Sequence, residues 1–201
     1  MSLWLLSDPL VLASSSVIRR AVLEAAGIPV EVRPAELDER AIEAQAATAS
    51  PSEVALLLAH AKASAVAARM PGRIILGADQ TLALKALRFS KPTDRAAARQ
   101  QLLVLRGRTH DLNSAFAVVR DQNLLHGGAE VARLTMRTFS DEFLDHYLDE
   151  AADAITGSVG GYQLERVGIH LFDKIEGDHF TILGLPLLPL LAFFRRQGFI
   201  A

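Results

Sequence analysis

The sequence predicts an α/β fold built on a mixed sheet. Short apolar runs that read as buried strands alternate with helical patterns over the first half of the chain, and β-like runs cluster in the second half. Half of the 201 residues are hydrophobic, enough for one sizeable core or for two lobes sharing a cleft. Neither a repeat nor a linker interrupts the pattern, so residues 1–201 are read as a single domain.

Leu10 to Ala13 is an apolar strand that breaks into Ser14, Ser15 and Ser16. Val17 then opens a helix that Gly27 stops. Ile28 to Val32 alternates as a strand, and Pro34 to Glu39 is an acidic loop. Ser50-Pro51-Ser52-Glu53 is a capping box with proline at the first helical position, opening a helix to Met70. Arg73 to Ala78 is a buried strand running into Asp79-Gln80-Thr81 and a second apolar stretch, Leu82 to Leu84. Thr93 or Asp94 caps a helix to Leu105. Leu112–Val119 and Ala129–Met136 suggest a hairpin across the turn-rich segment 121–128. Ser140 opens a helix to Leu148. Ile169 to Phe172 is a strand candidate; Thr181 to Leu185, after the turn Glu176-Gly177-Asp178, reads as a core strand; and a last helix runs from about Pro186 to Gln197, with Gly198 after it.

Composition removes several function classes. The net charge of −2, from 21 basic and 23 acidic residues, argues against a general nucleic-acid binder. With no cysteine there is no disulfide, zinc–thiolate site or thiol nucleophile. The first ten residues lack the basic region of a signal peptide, and segment 182–194 is too short and too proline-rich to span a bilayer. A cytoplasmic soluble protein that binds neither nucleic acid nor membrane is expected.

Chemistry concentrates in a few places. Serines at a helix N-terminus present free N–H groups and a positive dipole end, a ready phosphate site. Arg19 and Arg20 are cations at the wrong end of that helix, which makes sense if an anion lies between; the alternative is a plain Ser N-cap followed by two solvated arginines. Asp79 follows a buried run, at what reads as the carboxyl end of a strand, where α/β sheets bind ligands. Lys62 sits on an alanine-rich helix face, where burial would require an anionic partner. Lys91 lies in a loop, and Glu39 is either a metal ligand or part of an acidic loop. The Walker A, dinucleotide-binding, nucleophile-elbow and HExxH motifs are all absent. Cations and N–H groups suit a polyphosphate, and carboxylates suit a hard divalent metal. Together they point to metal-assisted hydrolysis of a nucleotide polyphosphate.

These residues resemble the Maf (septum formation inhibitor) family of nucleoside triphosphate pyrophosphatases. The resemblance runs over nearly the whole chain. It rests on Leu12-Ala13-Ser14-Ser15-Ser16 with Arg19, Asp38-Glu39, Leu58 to Ala63, Gly77-Ala78-Asp79-Gln80, Lys91-Pro92, Gly107 to His110, Gly161 to Glu165 and Gly184 to Leu187. It implies two α/β lobes around a long mixed central sheet with a cleft between them, similar to inosine triphosphate pyrophosphatases. It also implies hydrolysis of a nucleoside triphosphate to monophosphate and pyrophosphate with a divalent metal, Mg²⁺ or Mn²⁺. A homodimer is one partner to test for, since the sequence does not give the oligomeric state. Carried over by match, Asp79 is the catalytic base; Ser14, Ser16, Arg19, Lys62 and Lys91 hold the substrate's phosphates; Glu39 and Asp79 serve the metal.

The chain departs from the common family pattern at Ile18, Gln80 and Glu165, which by resemblance line the base end of the cleft. Gln80 and Glu165 resemble the branch acting on 7-methyl-GTP. A carboxylate can accept two donors from a guanine edge, while Gln80 can donate to a carbonyl. A guanine-type substrate is therefore expected over dTTP or UTP. ITP or XTP hydrolysis, and a division regulator acting through a protein partner, are the alternatives.

Overall fold

The computed structural model describes residues 2–46 and 48–201. The elements in chain order are β1 (Leu10–Leu12), α1 (Val17–Ala25), β2 (Val30–Val32), α2 (Glu39–Gln45), α3 (Pro51–Ala67), β3 (Ile75–Leu84), β4 (Leu87–Phe89), α4 (Arg95–Leu105), β5 (Thr109–Arg120) and β6 (Asn123–Met136). They continue with α5 (Asp141–Ala151), α6 (Ala154–Gly157), β7 (Phe172–Glu176), α7 (His179–Ile182) and α8 (Leu187–Arg196). Among the described residues the strands form one seven-stranded sheet in the order β2-β1-β3-β5-β6-β7, with β4 paired to β3. The sheet is mixed as expected: β1 is parallel to β2 and β3, while β4 and β7 run antiparallel to β3 and β6.

The chain divides into two compact units. The first comprises the chain up to Gln80, Ser114–Glu130 and His179–Ala201; the second comprises Thr81–Asn113 and Val131–Asp178. In the first unit β3 is buried on both faces, and its pleat sends alternate side chains to different partners. Ile75 packs with Ala63, Val66 and Ala67 of α3. Leu76 and Ala78 join the cluster of Leu185, Leu187 and Leu190 from the C-terminal segment. Helix α3 begins where the capping box places it: Ser50 Oγ accepts from Glu53 N–H, and the Glu53 carboxylate accepts from Ser50 N–H.

Four local expectations are corrected. Asp79 lies inside β3 and not at its end, because residues 82–84 stay extended to pair with β4. The hairpin between β5 and β6 turns tightly at Asp121-Gln122, both with positive φ (48° and 62°), a backbone that suits the right-handed twist of the flanking strands. Gly127 and Gly128 therefore belong to β6, where a Cβ would press on Leu56 and on the Phe116 ring at 3.1 Å each. Val167–Leu171 forms a 3₁₀ turn, burying Gly168 and Leu171 three residues apart, so the following strand starts only at Phe172. Residues 179–182 make one helical turn instead of a strand, ended by Gly184 at φ 90°.

Candidate active site

The first unit assembles six of the expected residues. Strand β1 ends at Leu12, and the Ala13 N–H donates to the Leu76 carbonyl. Beyond that bond β3 runs on, so Asp79 emerges past the carboxyl end of β1, consistent with the crevice rule for α/β sheets. Ser16 caps α1, its Oγ accepting from the Arg19 N–H at 3.3 Å. Ser14 Oγ accepts from the Ser16 N–H and from Arg19 Nη1 at 3.1 Å.

Close packing of β3 on α3 sets the central contact. A Cβ on Gly77 would meet the Ala59 carbonyl and the Ala63 N–H. Only glycine lets strand and helix approach so closely. Lys62 lies between those alanines on the same helix, and Asp79 lies two residues along β3 on the same face as Gly77. Lys62 Nζ is 2.6 Å from Asp79 Oδ1 and 3.0 Å from Glu39 Oε2, the latter carried by the first turn of α2. Asp79 and Lys62 are only 7% and 9% exposed, so each charge depends on its partner.

Burial pushes the Asp79 carboxyl above the usual carboxylate range. Lys62 and Arg19 pull it back, and Glu39 adds to the rise. Burial likewise lowers the Arg19 guanidinium, opposed by Asp79 and Glu39. Arg19 is tied to the backbone: Nη1 donates to the Ala78 carbonyl and Nε to the Gly184 carbonyl, both at 2.8 Å.

Gln80 goes elsewhere. The pleat points it to the face opposite Asp79, where Nε2 donates to the Thr181 and Ile182 carbonyls and to Ser114 Oγ at 3.0–3.2 Å. Two carbonyl acceptors fix that amide's orientation. Its donors, expected to face the substrate, are committed to the protein. Ile18 is half-buried on α1. Lys91 and Glu165 belong to the second unit, Lys91 exposed in the loop after β4 and Glu165 exposed in the turn 164–166.

Sequence reasoning missed Ser114, which is fully buried and donates to the Thr181 carbonyl at 2.6 Å. Its signal is a hydroxyl opening the otherwise apolar run Ala115 to Val119. It also left unused the backbone carbonyls of Thr181, Ile182 and Gly184, which no sequence pattern can mark as acceptors.

Among the described residues no group of three or more His, Asp or Glu side chains is arranged to hold a metal ion. Glu39 and Asp79 are a carboxylate pair, the donor set Mg²⁺ takes when substrate phosphates and water complete its shell. No helix among the described residues is long and apolar enough to cross a membrane.

Residues 9–197 match the family model described as Maf-like protein. A nucleoside triphosphate pyrophosphatase of Rhodopseudomonas palustris (strain BisB18) is 54% identical over 201 residues, covering 100% of this chain and 100% of that protein. One from Bradyrhizobium diazoefficiens is 53% identical over 201 residues, again the whole of both chains. A 7-methyl-GTP pyrophosphatase of Mesorhizobium japonicum is 50% identical over 195 residues, 96% of this chain and 98% of that protein.

Proposed function

The chain belongs to the Maf-like protein family and is a nucleoside triphosphate pyrophosphatase; from that premise we propose that it cleaves its substrate at the α-phosphate with Asp79 as the base, and that the substrate is of the guanine type. The observation that carries the catalytic assignment is the buried Asp79, held at 2.6 Å by Lys62, which also reaches Glu39. Burial raises the pKa of this carboxyl while Lys62 and Arg19 oppose the rise, which makes it a stronger base than an ordinary carboxylate and suits it to take a proton from water.

Lys62 and Arg19 act on the polyphosphate. Lys62 Nζ has three donors, two directed at Asp79 and Glu39, and its charge offsets that of a phosphate beside two carboxylates. The free N–H groups and positive dipole at the start of α1 favour the same anion. Ser14 and Ser16 shape this N-terminus, and Lys91 is a further phosphate ligand.

Glu39 and Asp79 would hold Mg²⁺ or Mn²⁺, which when bound supplies Lewis-acid polarisation of the phosphates. The residues themselves orient the substrate and accept the proton at the Asp79 carboxylate.

For the base, Glu165 accepts from the N1–H and exocyclic amine of a guanine edge, where thymine and uracil offer one N–H flanked by carbonyls. Ile18 supplies apolar surface. The 50% identity to a 7-methyl-GTP pyrophosphatase supports this choice. The test is pyrophosphate release from 7-methyl-GTP, GTP, UTP, dTTP, ITP and XTP, with Mg²⁺ and with EDTA. The reading expects a metal-dependent product and the highest kcat/KM on 7-methyl-GTP. A higher value on UTP, or undiminished turnover in EDTA, overturns the corresponding part.

A further inference from the structure

We propose that Gln101 is a positioning residue for Lys91: from helix α4 it holds the backbone of the loop that carries the lysine. The inference rests on Lys91 gripping a phosphate of the substrate.

Helix α4 buries one stripe of its surface. Ala98, Leu102 and Leu105 are fully buried, and Gln101 stands three residues after the first and four before the last. Together they follow the i, i+3, i+4, i+7 spacing of an apolar face. Glutamine thus occupies a place where a hydrophobe would fit. Its Oε1 is buried and has no hydrogen-bond partner among the described residues, which lowers stability. The other end of the amide, Nε2, donates to the Ser90 carbonyl at 2.9 Å. A carbonyl only accepts, so this contact settles which end of the amide faces the loop. Gln101 therefore weakens the core while it holds a loop, and what that loop carries is Lys91.

Ser90 begins the segment between β4 and α4, and Lys91 follows it. Lys91 is exposed, and its ammonium has no ion pair or hydrogen bond among the described residues. Its placement is set by the backbone on either side. After it comes buried Pro92, whose ring fixes its own φ and confines Lys91 to extended backbone. Before it comes Ser90, whose carbonyl has Gln101 as its one donor among the described residues. That carbonyl belongs to the planar peptide unit that includes the Lys91 nitrogen, so holding it fixes the plane from which the lysine departs. Helix α4 is a firm support. Asp94 caps it at the Ala97 N–H at 2.8 Å, and Arg99 and Arg106 tie it to Asp145 and Asp141 of α5. A long, free lysine binds an anion better from a fixed backbone, because less freedom is lost on binding.

The experiment compares Gln101→Met, Lys91→Ala and the double variant by kcat/KM on 7-methyl-GTP and on UTP, and by urea unfolding. Gln101→Met keeps the length of the side chain and removes the donor. It is expected to lower kcat/KM about fivefold on both nucleotides, the scale of a ligand-binding group held slightly out of place. Both nucleotides carry the same phosphates, so the ratio between them should stay within about twofold of wild type. In the Lys91→Ala background the same change should bring no further loss. The urea midpoint should stay level or rise, because water can serve the exposed Ser90 carbonyl and the buried unpaired oxygen is removed. If Gln101→Met does not fold, Gln101→Leu takes its place.

Wild-type kinetics in the folded Gln101 variant overturn the proposal. So does a loss confined to one nucleotide. A fall in the urea midpoint that accompanies the kinetic loss shows that Gln101 supports the helix and not the lysine, which also overturns it. If Lys91→Ala alone costs nothing, the phosphate role of Lys91 fails and the proposal falls with it. Additive losses with a damaging Lys91→Ala overturn the proposal and leave that role standing.

Discussion

Lys62 Nζ sits 2.6 Å from Asp79 Oδ1 in a contact that neither residue could make without Gly77, whose missing side chain lets β3 close onto α3. A raised carboxyl, a stabilising ammonium and a strand–helix approach are thus one arrangement. Perturbing each part should give a different signature.

Asp79→Asn keeps shape and removes the base. Turnover is expected to fall by about 10²-fold or more, the scale of a lost general base. Circular dichroism should report a folded protein, and pyrophosphate release gives kcat. Near-normal kcat in the folded variant would reassign the base.

Lys62→Met should move the acid limb of the kcat/KM–pH profile toward higher pH, besides lowering the maximum. Lys62 lowers the Asp79 pKa against burial, so its loss leaves burial and Glu39 to raise it further. The base is active when ionised, so a higher pKa removes activity at higher pH than in wild type. An unmoved or acid-shifted limb would show that the limb belongs to another group.

Gly77→Ala forces a Cβ onto the Ala59 carbonyl and Ala63 amide, both backbone groups that cannot swing aside. Overpacking of this kind costs about 1–3 kcal/mol. Urea unfolding should show that loss, and KM should rise for every nucleotide because α3 carries Lys62 away from Asp79. Unchanged stability would mean that strand and helix can separate freely.

His110 offers a test in the second unit. It is almost fully buried, its Nε2 is paired with the Tyr162 hydroxyl at 2.7 Å, and burial pushes its pKa down to about 4. The unfolded chain takes up this proton near pH 6.5. Between those values the unfolded state binds more protons, so stability rises with pH across that window and is lost as pH falls, by about 3 kcal/mol in all. His110→Gln, which keeps a polar group for Tyr162, should flatten this part of the stability–pH curve. Equal slopes from pH 6.5 to 4 in both proteins would show that His110 is protonated when folded.

Glu165→Gln replaces an acceptor-only group by one that also donates. The ratio of kcat/KM for 7-methyl-GTP over UTP should fall, and it should fall further when Ile18→Arg is added. A ratio that holds steady in both variants would leave Glu165 without a part in specificity.

The sequence by itself determined the helix caps, the alternation of strands and helices, and the chemical inventory. The capping box at Ser50–Glu53, the Ser16 cap on α1 and the alternation of apolar runs each act over three or four residues, so composition and spacing suffice to place them. An unpaired buried lysine is costly, and that alone told that Lys62 needs an anion if buried. Only the tertiary structure decided which anions these are, since Glu39, Lys62 and Asp79 lie on three separate elements. It also decided that Asp79 lies within a continuous strand and that 179–182 is a helical turn. The fate of Gln80 could not be read from a neighbour in sequence. Which face a strand residue serves follows from the pleat, but what waits on that face is a carbonyl about a hundred residues away. Backbone carbonyls are the same in every residue, so their role as acceptors is set by the path of the folded chain alone.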